Sequence, residues 1–156
     1  MAELVKVALD IMGGDNAPAE IVKGAVDAVN KRNDIKVILV GLEDAVKAEL
    51  SKYSYDTSRI EVVHASEVIE MAEPPVNAIR RKKDSSIVVA MKLVKNGDAD
   101  AFVSAGNTGA LHVAGSLLVR PVNGIKRAAI ATVLPFNPPV LLMDSGANVT
   151  IEPEYL

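Results

Sequence analysis

The order of apolar segments in this chain predicts an α/β protein, specifically a three-layer sandwich built on a mostly parallel sheet. Short apolar runs alternate with segments whose apolar residues recur at helical spacing, which is typical of βαβ units. Apolar residues make up 49% of the chain but aromatic residues only 3%, so Ala, Val, Ile and Leu must form the core, as in many buried parallel sheets. At 156 residues, we expect a single domain over residues 1–156.

The first half of the chain is predicted to contain three strands and two helices. The strands are expected at 5–10, 36–41 and 60–64. The first helix should begin with Asp15 or Asn16 as N-cap and Pro18 in its first turn, and it fades near residue 31. The second helix is expected over 42–52.

The second half continues the alternation after a polar loop over 71–84. We expect helices at 85–96 and 109–119, and strands at 101–105, 128–135 and 139–143. The last two strands are either antiparallel or joined by a crossover. Residues 153–156 resemble the first turn of a helix, so we expect the chain to be the amino-terminal part of a longer, truncated polypeptide.

One turn carries the clearest functional signal. After the apolar run that ends near Ser104, the chain reads Gly106, Asn107, Thr108, Gly109 and then resumes helical spacing. Glycines allow close approach of a ligand to the backbone, and a helix N-terminus favours anions. The alternative is an ordinary strand-to-helix turn in which Asn107 or Thr108 is the N-cap.

Two further polar glycine turns follow predicted strands. The first contains Gly13, Gly14, Asp15 and Asn16 and follows Asp10; the other contains Gly146 and Asn148 and follows Asp144. Open α/β sheets bind ligands at the carboxyl ends of their strands. We therefore expect the three turns to share a cleft, in which the two aspartates either orient backbone or ligand groups or only cap turns.

Four consecutive cations occupy residues 80–83. Arg81 and Lys82 could attract phosphate, phosphopantetheine or an acidic carrier protein, although such a run is also typical of a solvated surface. His64 follows a predicted strand and is a candidate for proton transfer near neutral pH. His112 is instead predicted to be a partly buried helix residue.

The composition of the chain argues against several classes of protein and of functional site. The net charge of -3 argues against general nucleic-acid binding. The chain has no cysteine, hence no disulfide, thiol nucleophile or thiolate metal site. Histidine and carboxylate spacing predicts no metal site, and no apolar stretch has the length of a membrane span. We expect a soluble cytoplasmic protein.

Four segments, 9–18, 73–83, 103–111 and 142–148, together resemble the phosphate acyltransferase (PlsX) family of bacterial phospholipid synthesis. The resemblance implies a fold similar to isocitrate and isopropylmalate dehydrogenases. It also implies transfer of an acyl group from acyl-acyl carrier protein to inorganic phosphate, giving acyl phosphate. Family members are homodimers with a second half to which peripheral membrane association is attributed. No cofactor is expected.

On this reading, phosphate lies on the 106–109 turn, with the 13–16 turn across the cleft. The expected catalytic residues are Asn107, Thr108, Lys82 and His64. The expected substrate-binding residues are Asp10, Gly13, Gly14, Asp15, Asn16, Arg81, Ser104, Gly106, Gly109, Asp144, Gly146 and Asn148. Two alternatives are a phosphate acetyltransferase or butyryltransferase type of enzyme that uses coenzyme A thioesters, and an inactive fragment.

Overall fold

A four-stranded parallel sheet lies at the centre of the protein in its computed structural model, which describes residues 4–150, 152 and 153. The strands are β1 (Val5–Asp10), β2 (Ile35–Gly41), β3 (Ile60–His64) and β4 (Ala101–Val103). Their order is β3, β2, β1, β4, and every pairing is parallel. The carboxyl ends of all four strands therefore meet at one edge. This confirms the predicted α/β class and the mostly parallel sheet.

Helices cover both faces of this sheet. Their bounds are α1 (Ala19–Lys31), α2 (Glu43–Leu50), α3 (Pro75–Arg81), α4 (Ser86–Asn96) and α5 (Thr108–Ala114). Alternate residues of β2 point to opposite faces: Leu39 packs in one cluster with Val22 of α1, and Val40 packs in another with Ala90 of α4. This alternation explains why β2 is apolar at nearly every position.

The start of α1 differs from the prediction. α1 begins at Ala19 with Pro18 before it, so neither Asp15 nor Asn16 is its N-cap. Gly14 has φ +104° and redirects the chain, and residues 15–18 form a separate turn ahead of the helix.

The polar segment 71–84, predicted as a loop, contains α3. Pro75 occupies the first turn of this helix, where proline is favoured because its missing N–H is not needed there. Ala78 and Ile79 are buried, so the helix is anchored through one apolar face. The prediction overlooked that face because cations and prolines surround it.

The last two strands form a separate antiparallel pair, β5 (Ala131–Leu134) and β6 (Val140–Met143). Both are shorter than predicted, and the antiparallel alternative is the one observed. Helix α5 is also shorter than the predicted 109–119 and continues into a wider π-type turn, Gly115–Val119. Most of the predicted helix start at 153–156 lies outside the described residues. Within the part of the chain that the structure describes, no helix is long and apolar enough to cross a bilayer.

Candidate functional site

The turn after β1 and the turn after β4 touch each other through their backbones. A Cβ atom on Gly13 would lie 2.8 Å from the backbone nitrogen of Gly106 and 2.9 Å from its Cα. A Cβ atom on Gly106 would in turn lie 3.1 Å from the Cα of Gly13. A side chain on Gly13 would force the two turns apart, and one on Gly106 would require its neighbours to shift. The structure thus brings two of the three predicted turns together at the sheet edge.

A buried carboxylate connects the two turns. The hydroxyl of Ser104 donates to Asp10 Oδ2 over 2.8 Å and accepts from the N–H of Gly106 over 3.0 Å. The N–H of Met12 donates to Asp10 Oδ1 over 3.0 Å. Asp10 is only 1% exposed, and both of its oxygens accept from the protein. Its position fits the orientation of backbone groups, one of the two roles considered for it.

Asp15 and Asn16 lie on the outside of the first turn. Gly14, with its positive φ, packs its backbone against Ala105, while the side chains of Asp15 and Asn16 are exposed. The carbonyl of Asn16 accepts from the N–H of Glu20. These two side chains therefore face solvent at the rim of the glycine contact.

Asn107 is the N-cap of α5, as one of the two readings of the turn predicted. Its Oδ1 accepts from the N–H of Ala110 over 2.9 Å. Its Nδ2 donates to three carbonyls, those of Glu70, Met71 and Glu73. The side chain is 6% exposed and engaged at both ends, so it anchors segment 70–73 to the start of α5.

Thr108 and Gly109 form the first turn of α5. Thr108 is exposed, and the first N–H groups of any helix have no acceptor within that helix. Within the described residues, the N–H groups of Thr108 and Gly109 have no backbone acceptor. A Cβ atom on Gly109 would lie 2.7 Å from Cγ of Pro75, which fixes this end of α5 against the start of α3.

Lys82 is linked to Asn107 through Glu73. Its ammonium group donates to the carbonyl of Val68 and to Glu73. The N–H of Glu70 and, to a smaller extent, Lys82 hold the pKa of Glu73 below its usual range. Because the carbonyl of Glu73 also accepts from Asn107, Lys82 supports the segment that Asn107 holds.

Arg81 ends α3 and is exposed. Pro75, at the other end of α3, is the residue that contacts Gly109. With about 1.5 Å of rise per residue, Arg81 stands roughly 9 Å along the helix from that contact. Its role at the 106–109 turn stays a prediction.

The two histidines lie apart from the glycine contact. His64 ends β3, and β2 and β1 separate it from β4, a distance of about 14 Å at the usual strand spacing. Its Nδ1 accepts from the N–H of Glu43 over 3.4 Å. His112 is half-buried in α5 and donates from Nε2 to the carbonyl of Ala128 over 3.0 Å, in agreement with its predicted structural role.

The third turn does not lie at the edge of the parallel sheet, and a cleft shared by all three turns stays a prediction. It follows β6 in the antiparallel pair. Partial burial raises the pKa of Asp144, but hydrogen bonds from Ile130, Asn148 and Ala147 outweigh it and lower the pKa to about 2. Gly146 has φ +99° and open space around it.

The third turn is instead linked to α5 through the carbonyl of Ala128. Asn148 donates from Nδ2 to the carbonyl of Ala128 over 3.1 Å, the same carbonyl to which His112 donates. Prolines 138 and 139 interrupt the chain between β5 and β6, and a proline lacks the N–H that a central strand would need. Both prolines lie in the connection, outside the two strands.

The sequence did not predict that segment 70–73 and Pro75 are neighbours of the 106–109 turn. The signal was present in Pro74 and Pro75, since a proline pair before an apolar pair favours a helix start. Nothing local in the sequence, however, indicates that Asn107 reaches back more than 30 residues to Glu73.

With this geometry in place, the family of the chain follows from comparison. Residues 5–156 match the family described as fatty acid synthesis protein, and the chain belongs to that family. This confirms the resemblance drawn from the four segments of the sequence.

Individual relatives carry a more specific name. A phosphate acyltransferase of Dictyoglomus turgidum is 51% identical over 97% of this chain, which covers 46% of that relative. The phosphate acyltransferases of Halothermothrix orenii and Clostridium acetobutylicum are 48% and 46% identical over 97% and 96% of the chain, covering 46% of each relative. The chain thus spans about half the length of the curated relatives it matches.

Proposed function

We propose that this chain carries the phosphate-binding part of an acyltransferase. The enzyme moves a fatty acyl group from acyl-acyl carrier protein to inorganic phosphate and yields acyl phosphate for phospholipid synthesis. The observation that carries the proposal is the backbone contact of Gly13 with Gly106, held by Asp10 and Ser104 at the carboxyl ends of β1 and β4. The name of the relatives, phosphate acyltransferase, supports the reaction class.

The proposed reaction requires the protein mainly to bind phosphate and the thioester and to orient them. A phosphate oxygen attacks the thioester carbonyl, the carbon–sulfur bond breaks, and the leaving thiolate takes up a proton. The protein must hold phosphate near the carbonyl and stabilise the negative charge that develops on the carbonyl oxygen. Backbone N–H groups suit both tasks, and the start of α5 supplies those of Thr108 and Gly109.

The residues divide into two roles under this proposal. The hydroxyl of Thr108 and the N–H groups of Thr108 and Gly109 bind phosphate, with Gly13 and Gly14 opposite. Asp10, Ser104 and Asn107 act as positioning residues, because their side-chain atoms are engaged by the protein itself. Direct substrate contact remains a prediction for the residues at the rim or farther away: Asp15, Asn16, His64, Arg81, Lys82, Asp144, Gly146 and Asn148.

Finer expectations rest on the family resemblance and belong to the same proposal. They are one α/β domain over residues 1–156 with a dehydrogenase-like fold, an acyl carrier protein as donor, a homodimer and a cytoplasmic location. The helices on both faces of a parallel sheet are compatible with that fold.

The test measures acyl phosphate formation by the chain and by a version extended with the remaining part of the Dictyoglomus turgidum relative. In the extended protein, Thr108→Val should lower kcat/KM by about tenfold or more, because it removes a donor near the developing charge. Thr132→Val, on β5, is the matched control and should leave the rate unchanged. Equal rates for both variants would remove Thr108 from the mechanism.

The choice of donor separates the proposal from its coenzyme A alternative. Acyl-acyl carrier protein should be used at a higher kcat/KM than the coenzyme A thioester of the same acyl group. The opposite order would assign the chain to the phosphate acetyltransferase or butyryltransferase type. No product from either donor in the extended protein would contradict the acyltransferase proposal.

A further inference from the structure

Segment 70–75 contacts the 106–109 turn at two points. The Nδ2 atom of Asn107 donates to three carbonyls of the segment over 3.1–3.2 Å. Pro75, at the other end of the segment, limits the space beside Gly109. The position of the start of α5 therefore depends on the shape of this segment.

Neither a helix nor a strand fixes that shape. Residues 70–74 belong to no element of regular secondary structure, and three carbonyls share the two N–H groups of the Asn107 side chain. The three carbonyls must point at one place, and ordering a loop in this way costs conformational entropy. Other contacts must therefore hold the segment in shape.

The carboxylate of Glu73 supplies such contacts. It accepts from the N–H of Glu70 over 2.9 Å and forms an ion pair with Lys82. The N–H of Glu73 donates to the carbonyl of Glu70 over 3.1 Å, so residues 70–73 form a closed turn. The N–H of Glu70 holds the pKa of Glu73 below its usual range, and the group is therefore a carboxylate at neutral pH.

Lys82 connects this closed turn to the residues before it. Its ammonium group donates to the carbonyl of Val68 and to Glu73, so it joins the two ends of loop 68–73. Lys82 is the half-buried member of the cationic run 80–83, whose other three members are exposed. The paired side chains of Lys82 and Glu73 are 29% and 28% exposed, so salt screens this pair less than it screens a fully exposed one.

We propose that Glu73 is a positioning residue for the anion-binding turn. Paired with Lys82, its carboxylate holds in place the carbonyls to which Asn107 donates. Asn107 in turn orients the N–H groups of Thr108 and Gly109. This role requires no contact between Glu73 and substrate, and it rests on the proposed function, since it concerns how tightly the same turn binds phosphate.

The experiment measures phosphate binding by the 156-residue chain through amide NMR, and the KM for phosphate of the extended protein. Glu73→Ala should weaken phosphate binding and raise this KM by about tenfold, because small displacements of binding groups are costly. Glu73→Gln should keep both values within about threefold of those of the unaltered protein, since its amide oxygen can still accept from Glu70. The KM for the acyl donor should stay unchanged in both variants.

Glu61→Ala is the matched control. Glu61 forms an ion pair with Lys36 over 2.7 Å between β3 and β2, and Lys36 is 28% exposed, much like Lys82. Loss of this pair should leave phosphate binding and the KM for phosphate unchanged. Amide spectra and thermal unfolding of each variant verify that it is folded.

Lys82→Met tests whether Glu73 and Lys82 act as one unit. Alone, it should weaken phosphate binding in the same direction as Glu73→Ala. The double variant should bind phosphate no more weakly than the weaker of the two single variants, because residues that act together are not additive. Losses that add would mean that Lys82 contributes to phosphate binding independently of Glu73, and they would overturn the paired role.

Two further results would overturn the proposal. One is equal phosphate affinity in Glu73→Ala and the unaltered chain. The other is a loss of thermal stability with an unchanged KM for phosphate, which is the behaviour of a purely structural residue. If neither the unaltered chain nor the extended protein binds phosphate, the proposed function itself fails, and this role of Glu73 fails with it.

Discussion

The parallel sheet and the β5–β6 pair are both built from branched aliphatic residues, yet they differ completely in burial. Leu39 and Val40 of β2 are 0% exposed, whereas Val133 and Leu141 of the antiparallel pair are 67% and 59% exposed. The difference lies in what covers them. Helices between successive parallel strands lie on both faces of the main sheet, and the strands of the pair are joined without one. Apolar sequence therefore predicts a strand but not its burial.

The glycine turns of the parallel sheet differ from the turn of the β5–β6 pair in the same way. The turns after β1 and β4 are fixed by close backbone contact and by the buried Asp10. The turn after β6 is held by hydrogen bonds to Asp144 and from Asn148 to the carbonyl of Ala128, and its Gly146 has open space around it. Turns that look alike in the sequence thus differ in backbone packing, and the closely packed pair is the better candidate for holding a phosphate group.

Removing one leucine from each region should give the largest contrast. Leu39→Ala should lower the free energy of unfolding by about 2–5 kcal/mol, because it leaves a cavity in a closed core. Leu141→Ala should lower it by about 1 kcal/mol or less, since that side chain already contacts solvent. Urea unfolding followed by circular dichroism measures both values. Equal losses would mean that the pair is covered in solution.

Adding one methyl group tests the backbone contact itself. Gly13→Ala should cost about 1–3 kcal/mol, because its Cβ would overlap Asp10 and the backbone of Gly106. Gly24→Ala is the matched control, since that glycine lies in α1 with nothing within 4 Å. It should stabilise the protein by about 0.5–1 kcal/mol. An unchanged free energy of unfolding in Gly13→Ala would show that the two turns do not pack this closely.

Substitutions of the neighbouring residues Asn107 and Thr108 should separate a structural role from a functional one. Asn107→Ala should cost about 1–2 kcal/mol of stability, because it removes the cap of α5 and the anchor of segment 70–73. Thr108→Ala, at an exposed side chain, should change stability by less than about 0.5 kcal/mol. Thermal unfolding of both variants measures the two losses of stability. A larger loss of stability for Thr108→Ala than for Asn107→Ala would contradict the structural role of Asn107.

Acid should affect the third turn locally. The pKa of Asp144 is lowered to about 2, below its usual value of about 3.9, so its stabilising contribution is complete above pH about 4 and disappears as the pH falls through about 2. The amide signals of Ile130 and Asn148 should shift over that range. In Asp144→Asn the shifts should be absent, and their persistence would assign them to another group.

The sequence predicted the fold better than it predicted the contacts around the candidate site. The parallel strands and α4 were located because each combines a clear period with a stop signal, such as Gly97 after α4. Helix α3 was missed because its apolar face is only Ala78 and Ile79 within a run of cations and prolines. The pairing of Lys82 with Glu73 and the reach of Asn107 to segment 70–73 depend on tertiary contacts that no local pattern records.

The most direct test of the central claim, that the turns after β1 and β4 jointly bind an anion, is a titration of the chain with inorganic phosphate followed by amide NMR. Saturable shifts should appear at Gly13, Gly14, Gly106, Thr108 and Gly109, and they should be lost in a folded Gly13→Ala variant. Shifts confined to Arg80, Lys126 and Arg127, with none at the two turns, would contradict the claim.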